Sequence, residues 1–454
     1  MTNSRGARLR FPDAKTESHR MGLGFAARAL RHRNYRLFFA GQSVSLIGTW
    51  MTRVATGWLV YRLTGSAFML GIVSFVGQIP TFLLTPLGGV LADRWSRHRV
   101  LLCTQVALML VSLGLAYFAL RGTIAVSHII VLGTLQGLAN AFDIPARQAF
   151  VVEMVEERAE LSSAIAMNST IFNGARLIGP SVAGVLIALF GEGLCFLIDG
   201  VSFVAVILAL LAMRVAPPTQ RADREHVLHE LREGFSAAFG FAPIRAILLL
   251  MALTSLVGSP YTVLMPIFAH RVLGGDAVTL GFLMAASGVG ALGGAAFLAM
   301  RKSVLGLGRV IAGGAMIFGT GLIVFGLSHL MWLSLPILVV IGFATMVQIA
   351  GSNTVVQTLV DDNKRGRVMS FFAMAFMGTM PFGSLLAGEL ARRIGAPHTV
   401  ILGGSVCLLA GLLFARALPR LRPLVRPIYA ARGVLPPLPE GVGSTASMAN
   451  PRME

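Results

Sequence analysis

The sequence predicts an all-α membrane protein whose twelve transmembrane helices form two parallel six-helix repeats. Three observations carry that prediction: too few charges for a soluble domain, repeated apolar runs long enough to span a bilayer, and a strong loop-to-loop bias in basic residues. The 454 residues are 55% hydrophobic and 13% charged, with a mean hydropathy of +0.75. A soluble domain carries roughly a quarter of its residues charged. A helix needs about 20 apolar residues to cross ~30 Å of hydrocarbon. Only helices and closed barrels satisfy the backbone there, and these runs are about twice the length of a barrel strand.

In chain order, residues 1–35 read as a basic cytoplasmic tail. The first 36 residues hold nine arginines and lysines and lack the apolar segment of a secretory signal peptide. Spans are predicted at 36–60, 69–91, 99–120, 127–149, 162–190 and 194–213, which make the first bundle, 36–213. The fifth is long enough to hide a short loop near Phe190–Gly193. The second bundle, 246–417, takes 246–269, 278–300, 308–328, 331–355, 367–390 and 398–417. Between them, residues 214–245 form a central loop. Val227, Leu228, Leu231, Phe235, Ala238 and Phe239 share one helical face there, which predicts a helix lying on the membrane surface. A solvated linker is the other reading. The tail 418–454, with its prolines, is predicted to be disordered.

Charge sets the orientation. With the N-terminus inside, thirty of the 38 basic residues fall in inside segments. Outside loops hold Arg62, Arg121, Arg271, Arg392 and Arg393, and spans hold Arg53, Arg147 and Arg176. This predicts a multi-pass protein with both termini in the cytoplasm. Arg392 and Arg393 fit worst, and imply either headgroup contact on the outer face or a misplaced eleventh span. The net charge of +18 would suggest nucleic acid in a soluble protein. Distributed in this way, it points to a bilayer as partner and away from nucleic acid. Cys103, Cys195 and Cys407 lie singly inside spans, so neither a disulfide framework nor a metal site is predicted.

The halves resemble one another. "GLANAFDIPARQAFVVEMVEERAELSSA" from Gly137 has a counterpart, 205 positions on, in "GFATMVQIAGSNTVVQTLVDDNKRGRVMS" from Gly342. Gly88 and Gly89 with their basic loop likewise match Gly293 and Gly294 followed by Arg301 and Lys302. Paired repeats are an architecture of transporters with a site between the halves.

The stretch "GGVLADRWSRHRV", residues 88–100, puts an aspartate and three arginines within seven positions at a membrane edge. A topology-setting loop explains the arginines but not the aspartate. Gly89, Asp93, Arg94, Arg97 and Arg99 resemble the signature loop of the major facilitator superfamily, with Ser96 where that family has a second glycine. The runs from Asn34 and Asn140 resemble its enterobactin-exporter-like, transmembrane secretion effector subgroup, over residues 30–418 or so. The resemblance implies the major facilitator fold, a bacterial inner-membrane location and a cytoplasmic gating latch. In that latch Asp93 would meet the start of the eleventh span near Arg367, and Arg97 would pair with Asp143. Asp143 and Arg147, four apart on one helical face, are also placed to bond each other. The second half has Leu298 in place of the aspartate. Gly174, Gly179, Pro180 and Gly184 resemble the glycine-proline motif of the family's antiporters and exporters, which implies export.

Charged groups near mid-bilayer cost roughly 2.5–3.5 kcal/mol by insertion scales, so each needs a partner or a watered cavity. Arg53 and Arg176 are assigned to a central cavity, binding anionic or catecholic groups, with structural pairing as the other reading. Gln78, Gln136 and Asn173 join them on the substrate or proton pathway. Asp199 and Glu389 lie near outer span ends, where snorkelling to headgroups or helix pairing competes with function. Asp143 and Asp199 are the candidates for proton transfer. No Walker sequence occurs, so the expected driver is the proton gradient, with no bound cofactor. The sequence thus predicts a proton-coupled exporter of a siderophore, drug or similar metabolite, and not an enzyme. A uniporter or importer of metabolites or lysolipids stays open, as does a polytopic membrane enzyme.

Overall fold

The computed structural model describes residues 28–155, 158–213, 235–236, 238–301, 303–361 and 364–432. Among them there are no strands. Twelve long helical segments run up and down: α1 (Arg33–Thr64), α2 (Ala67–Arg94), α3 (Arg97–Leu120), α4 (Val126–Met154), α5 (Arg158–Phe190) and α6 (Glu192–Leu211) form the first half. The second half holds α7 (Ala242–Val272), α8 (Ala277–Ala299), α9 (Leu307–Leu327), α10 (Met331–Leu359), α11 (Arg365–Ile394) and α12 (Ala396–Ala431). Eleven of these are long and apolar enough to cross a membrane; α1, which carries Arg33, Arg36, Arg53 and Arg62, is less apolar. Both described ends lie on one side of the bundle, here called the tail side.

Turns on the opposite, far side are short. Gly65 and Gly191 take positive φ of 60° and 80°, which lets α1 and α5 reverse almost at once. The long fifth span therefore ends in a single-residue break at Gly191. The Asp276 carboxylate accepts from the amides of Val278 and Thr279 at 3.0 and 3.2 Å, capping α8. Helix α7 contains π-turns at Thr254–Gly258 and Phe268–Val272, and α11 contains one at Met374–Gly378.

The repeat is visible in the packing. A Cβ on Gly137 would stand 2.3 Å from the Gly77 carbonyl oxygen, so α4 lies against α2 backbone to backbone. Its counterpart Gly342 brings α10 equally close to α8, 1.9 Å from the Ser287 oxygen. Small residues permit such crossings, which gain dispersion contact where lipid offers no hydrophobic drive.

One expectation changes. The last helix does not stop at 417: it runs to Ala431 through Pro419, Pro423 and Pro427. Leu418, Leu421, Val425, Ile428 and Tyr429 pack on the tail-side core of the second half, and Arg432 donates to the Val360 carbonyl at 2.6 Å. Residues 433–454 lie outside the described residues, as do 1–27 and most of the expected surface helix, 214–234. Of that helix, Phe235 stacks on Phe239 at 4.7 Å, and Phe371 of α11 meets both rings edge-on.

The halves touch from mid-height to the far side. Ser74 on α2 donates to Ser384 on α11 at 3.1 Å, Phe382 packs edge-on against Phe75 and Phe82, and Arg271 donates to the Gly65 carbonyl at 3.0 Å. Toward the tails, Leu83 and Leu87 of α2, Ile165 of α5 and Met377 of α11 are exposed. Ser169 and Thr170 are exposed on the same stretch of α5, each hydroxyl donating to the carbonyl four residues earlier at 2.9 Å. Among the described residues the bundle is thus sealed on the far side and parted toward the tails.

Candidate functional site

The wall of the cleft is set by the contact of α1 with α5. A Cβ on Gly179 would stand 2.5 Å from Trp50 Cβ and 3.0 Å from the Ile47 carbonyl, so the glycine is what lets the helices meet. Pro180 follows it, and Gly184 continues the same helix onto α8. Gly174, by contrast, faces open space. The motif therefore packs α5 onto α1 and α8 together, at the join between the halves.

That contact fixes Trp50. The Arg53 guanidinium lies over its ring, 4.6 Å from the centroid, and the Arg176 guanidinium lies 5.9 Å from the same centroid. Phe172 meets the indole edge-on at 5.8 Å. Arg53 is exposed although its neighbours Thr52, Val54 and Ala55 are buried, which turns it into the cleft. Among the described residues neither guanidinium pairs with a carboxylate. The structural-pairing reading of Arg53 and Arg176 accordingly finds no partner. Asn173 is held by its own helix, donating to the Ser169 carbonyl at 2.8 Å. Gln136 is half-buried on α4. Gln78 donates to Ser74 Oγ at 2.8 Å, and through Ser74 reaches Ser384 of the other half. Neither serine was singled out in the sequence, because a hydroxyl among apolar residues has no distinguishing pattern.

The latch residues divide. Asp93 and Arg94 end α2 with helical backbone; their side chains, and the surroundings of Gly89, lie outside the described residues. Arg97 opens α3, yet it pairs with Glu153 at 2.5 Å and not with Asp143 as expected. Asp143 is fully buried and engaged otherwise: Arg147 bonds its Oδ2, while Thr104 and Gln105 donate to Oδ1 at 2.9 and 2.8 Å. Arg147 also reaches Gln42 Oε1 at 3.3 Å. A carboxylate already met by three donors has no need of Arg97, whose own helix end lies nearer Glu153. Arg99 is exposed and Arg367 half-buried in the first turn of α11.

Asp199 and Glu389 both have partners within the protein, which is the pairing reading of each. Asp199 is fully buried, with Thr52 of α1 and Ser112 of α3 each donating to Oδ2 at 2.8 Å. It joins three helices inside the first half. Glu389 stays near the far-side end of α11 and accepts from Arg392 at 2.6 and 2.7 Å and from Arg393 at 2.5 Å. Those bonds explain the arginine pair that fitted the orientation worst: Glu389 offsets half its charge, and it sits at a helix C-terminus, where positive charge is favoured.

Two six-helix repeats, sealed on one side and parted on the other, are the architecture of a major facilitator transporter. Solved structures share it: a bacterial homologue of the lysosomal transporter Spinster, inward-facing and unoccupied, superposes with a TM-score of 0.66 at 15% identity, over 87% of this chain and 97% of that one. A bacterial homologue of the iron transporter ferroportin, inward-facing, gives 0.65 at 18% identity, over 85% and 98%. Residues 25–425 match the model of the transmembrane secretion effector family, and the chain belongs to that family. Its relatives include the staphyloferrin A transporter of Staphylococcus aureus, 28% identical over 82% of this chain and 94% of the relative. The multidrug efflux pump Tap of Mycolicibacterium fortuitum is 28% identical over 83% and 93%, and the enterobactin exporter of Citrobacter koseri 25% over 90% and 96%.

Proposed function

We propose that the protein is a secondary active exporter that moves a small molecule out of a bacterial cell across the inner membrane, drawing on the proton gradient. The carrying observation is the cleft between the halves, open on the tail side and sealed on the far side. Basic residues crowd the tail-side segments, so that side is the cytoplasm and the cleft is the cytoplasmic entry. A cargo entering there leaves when the far-side seal opens and the tail side closes, which is alternating access between two packings. Relatives named for siderophore and drug export favour outward movement. The chain works as a monomer, with no bound cofactor, no catalytic reaction and no nucleic acid.

Proton coupling requires a carboxyl that gains and loses a proton as the halves move. Asp143 is committed to Arg147, Thr104 and Gln105. Asp199 meets two neutral hydroxyls and keeps Oδ1 without a partner, which makes it the better carrier. The test is uptake of siderophores and drugs into inverted membrane vesicles, with the proton gradient imposed, abolished and reversed. Export predicts accumulation that follows the gradient. Flux indifferent to it would identify a uniporter, and accumulation only with the opposite gradient an importer.

A further inference from the structure

We infer that Trp50, Arg53 and Arg176 form the cargo seat, and that the cargo is a small organic anion carrying at least two acidic groups. The inference rests on the transporter reading and adds the chemistry of what is carried. Two guanidiniums share one indole, at 4.6 and 5.9 Å from its centroid, on the wall of the cleft. Like charges so placed repel, and intramembrane charges normally find opposite partners. Arg62, Arg97, Arg147, Arg392 and Arg393 have carboxylate partners, whereas among the described residues Arg53 and Arg176 have none. The carboxylates of the first half that could serve are turned elsewhere: Asp143 onto Arg147, and Asp199 onto Thr52 and Ser112.

A guanidinium attracted to an indole ring keeps a fork of N–H groups free for an anion. Those forks suit carboxylate or catecholate oxygens, which they grip two at a time. In the parted bundle water fills the cleft and solvates both cations. When the tail side closes, that water leaves, and a dianion is what keeps two desolvated guanidiniums from standing unpaired. The edge-on ring of Phe172, 5.8 Å from Trp50, offers an apolar or aromatic cargo skeleton a surface beside the charges. A cationic cargo meets repulsion at this wall.

The test uses purified full-length protein in neutral phosphatidylcholine nanodiscs, so that lipid supplies no competing anion. Citrate and phthalate are the probes, ethidium is the cationic control, and calorimetry is the readout. Both anions are expected to bind the wild type. R53Q and R176Q should each weaken them by about tenfold or more, the ratio for loss of one charge-assisted hydrogen bond. R53K and R176K, which keep charge and bulk but lose the fork, should recover part of that. An unchanged melting temperature shows which variants are folded, and the lysine forms keep the comparison open if a glutamine form is not. Neither anion binding the wild type, or both binding R53Q/R176Q equally well, overturns the inference. Gradient-driven ethidium movement without anion binding would sink the seat and spare the exporter reading; anion binding without gradient-driven flux of any probe would do the reverse.

Discussion

Gly184 of α5 and Gly281 of α8 stand face to face across the two halves. A Cβ on Gly184 would lie 3.1 Å from Gly281 Cα and 2.8 Å from the Ala277 carbonyl oxygen, and one on Gly281 would lie 2.8 Å from that of Pro180. Gly71 of α2 repeats the arrangement against α11, 2.6 Å from the Ser384 oxygen and 3.1 Å from Gly388 Cα. At these two crossings the far-side seal is backbone against backbone, and side-chain contacts such as Arg271 on the Gly65 carbonyl add to it.

Widening this seam should shift the conformational balance. Gly281→Val forces α5 and α8 apart, at an overpacking cost of about 1–3 kcal/mol against the sealed state. That corresponds to a roughly 5- to 150-fold change in the ratio of the two states. Spin labels at Leu63 and Leu273 should report a longer far-side distance, and transport should fall. Unchanged distances and rate would show that the seam is not a gate.

Asp143→Asn leaves Arg147, whose side chain is 28% exposed, without its anion. Breaking a buried pair costs about 3–5 kcal/mol, and the partial exposure of Arg147 places the expected loss near the lower figure. Asp143→Asn with Arg147→Gln should be less destabilised than the sum of the single changes. Additive losses in thermal unfolding would mean that the two side chains do not depend on one another.

Spans, halves and repeat were legible because each follows from composition along the chain. The cleft arginines were legible too, since a charge seventeen residues into an apolar run is visible without a fold. What could not be read was partner choice. Arg147 and Arg97 are both plausible mates for Asp143 in a sequence, and only the crossing of α3 with α4 gives Arg97 to Glu153. The partners of Asp199 were hidden for the same reason: Thr52 and Ser112 come from helices far away in sequence. The proline-rich end misled differently. Pro419, Pro423 and Pro427 recur every four residues and are all exposed, so the carbonyls they leave unbonded lie together on one outward face. Solvent there can satisfy them, and the opposite face still packs.

This account of α12 makes a prediction opposite to that of a disordered tail. Proline costs a helix interior about 3 kcal/mol relative to alanine, so Pro423→Ala should raise the melting temperature. Leu421→Asp should lower it by placing a charge in the packed face, at roughly 1–3 kcal/mol. If neither moves the unfolding midpoint, the segment does not contribute as a docked helix.

Asp199 provides the last prediction, because its structural and proton-carrying roles separate experimentally. Gly48 presses on it so closely that a Cβ would stand 2.8 Å from Oδ1 and 2.9 Å from Asp199 Cα. Gly48→Ala should therefore destabilise the first half, whichever role the carboxyl has. Asp199→Leu strands the Thr52 and Ser112 hydroxyls, at about 1–3 kcal/mol for each buried group left unpaired. Asp199→Asn is the decisive change: it keeps the shape and an oxygen for both hydroxyls while removing the titrating oxygen pair. If Asp199 carries the proton, this variant folds normally and transports at a rate that no longer follows the imposed gradient. A folded Asp199→Asn protein whose flux tracks the gradient as the wild type does would reduce Asp199 to a tie between α1, α3 and α6, and return the proton to another carboxyl.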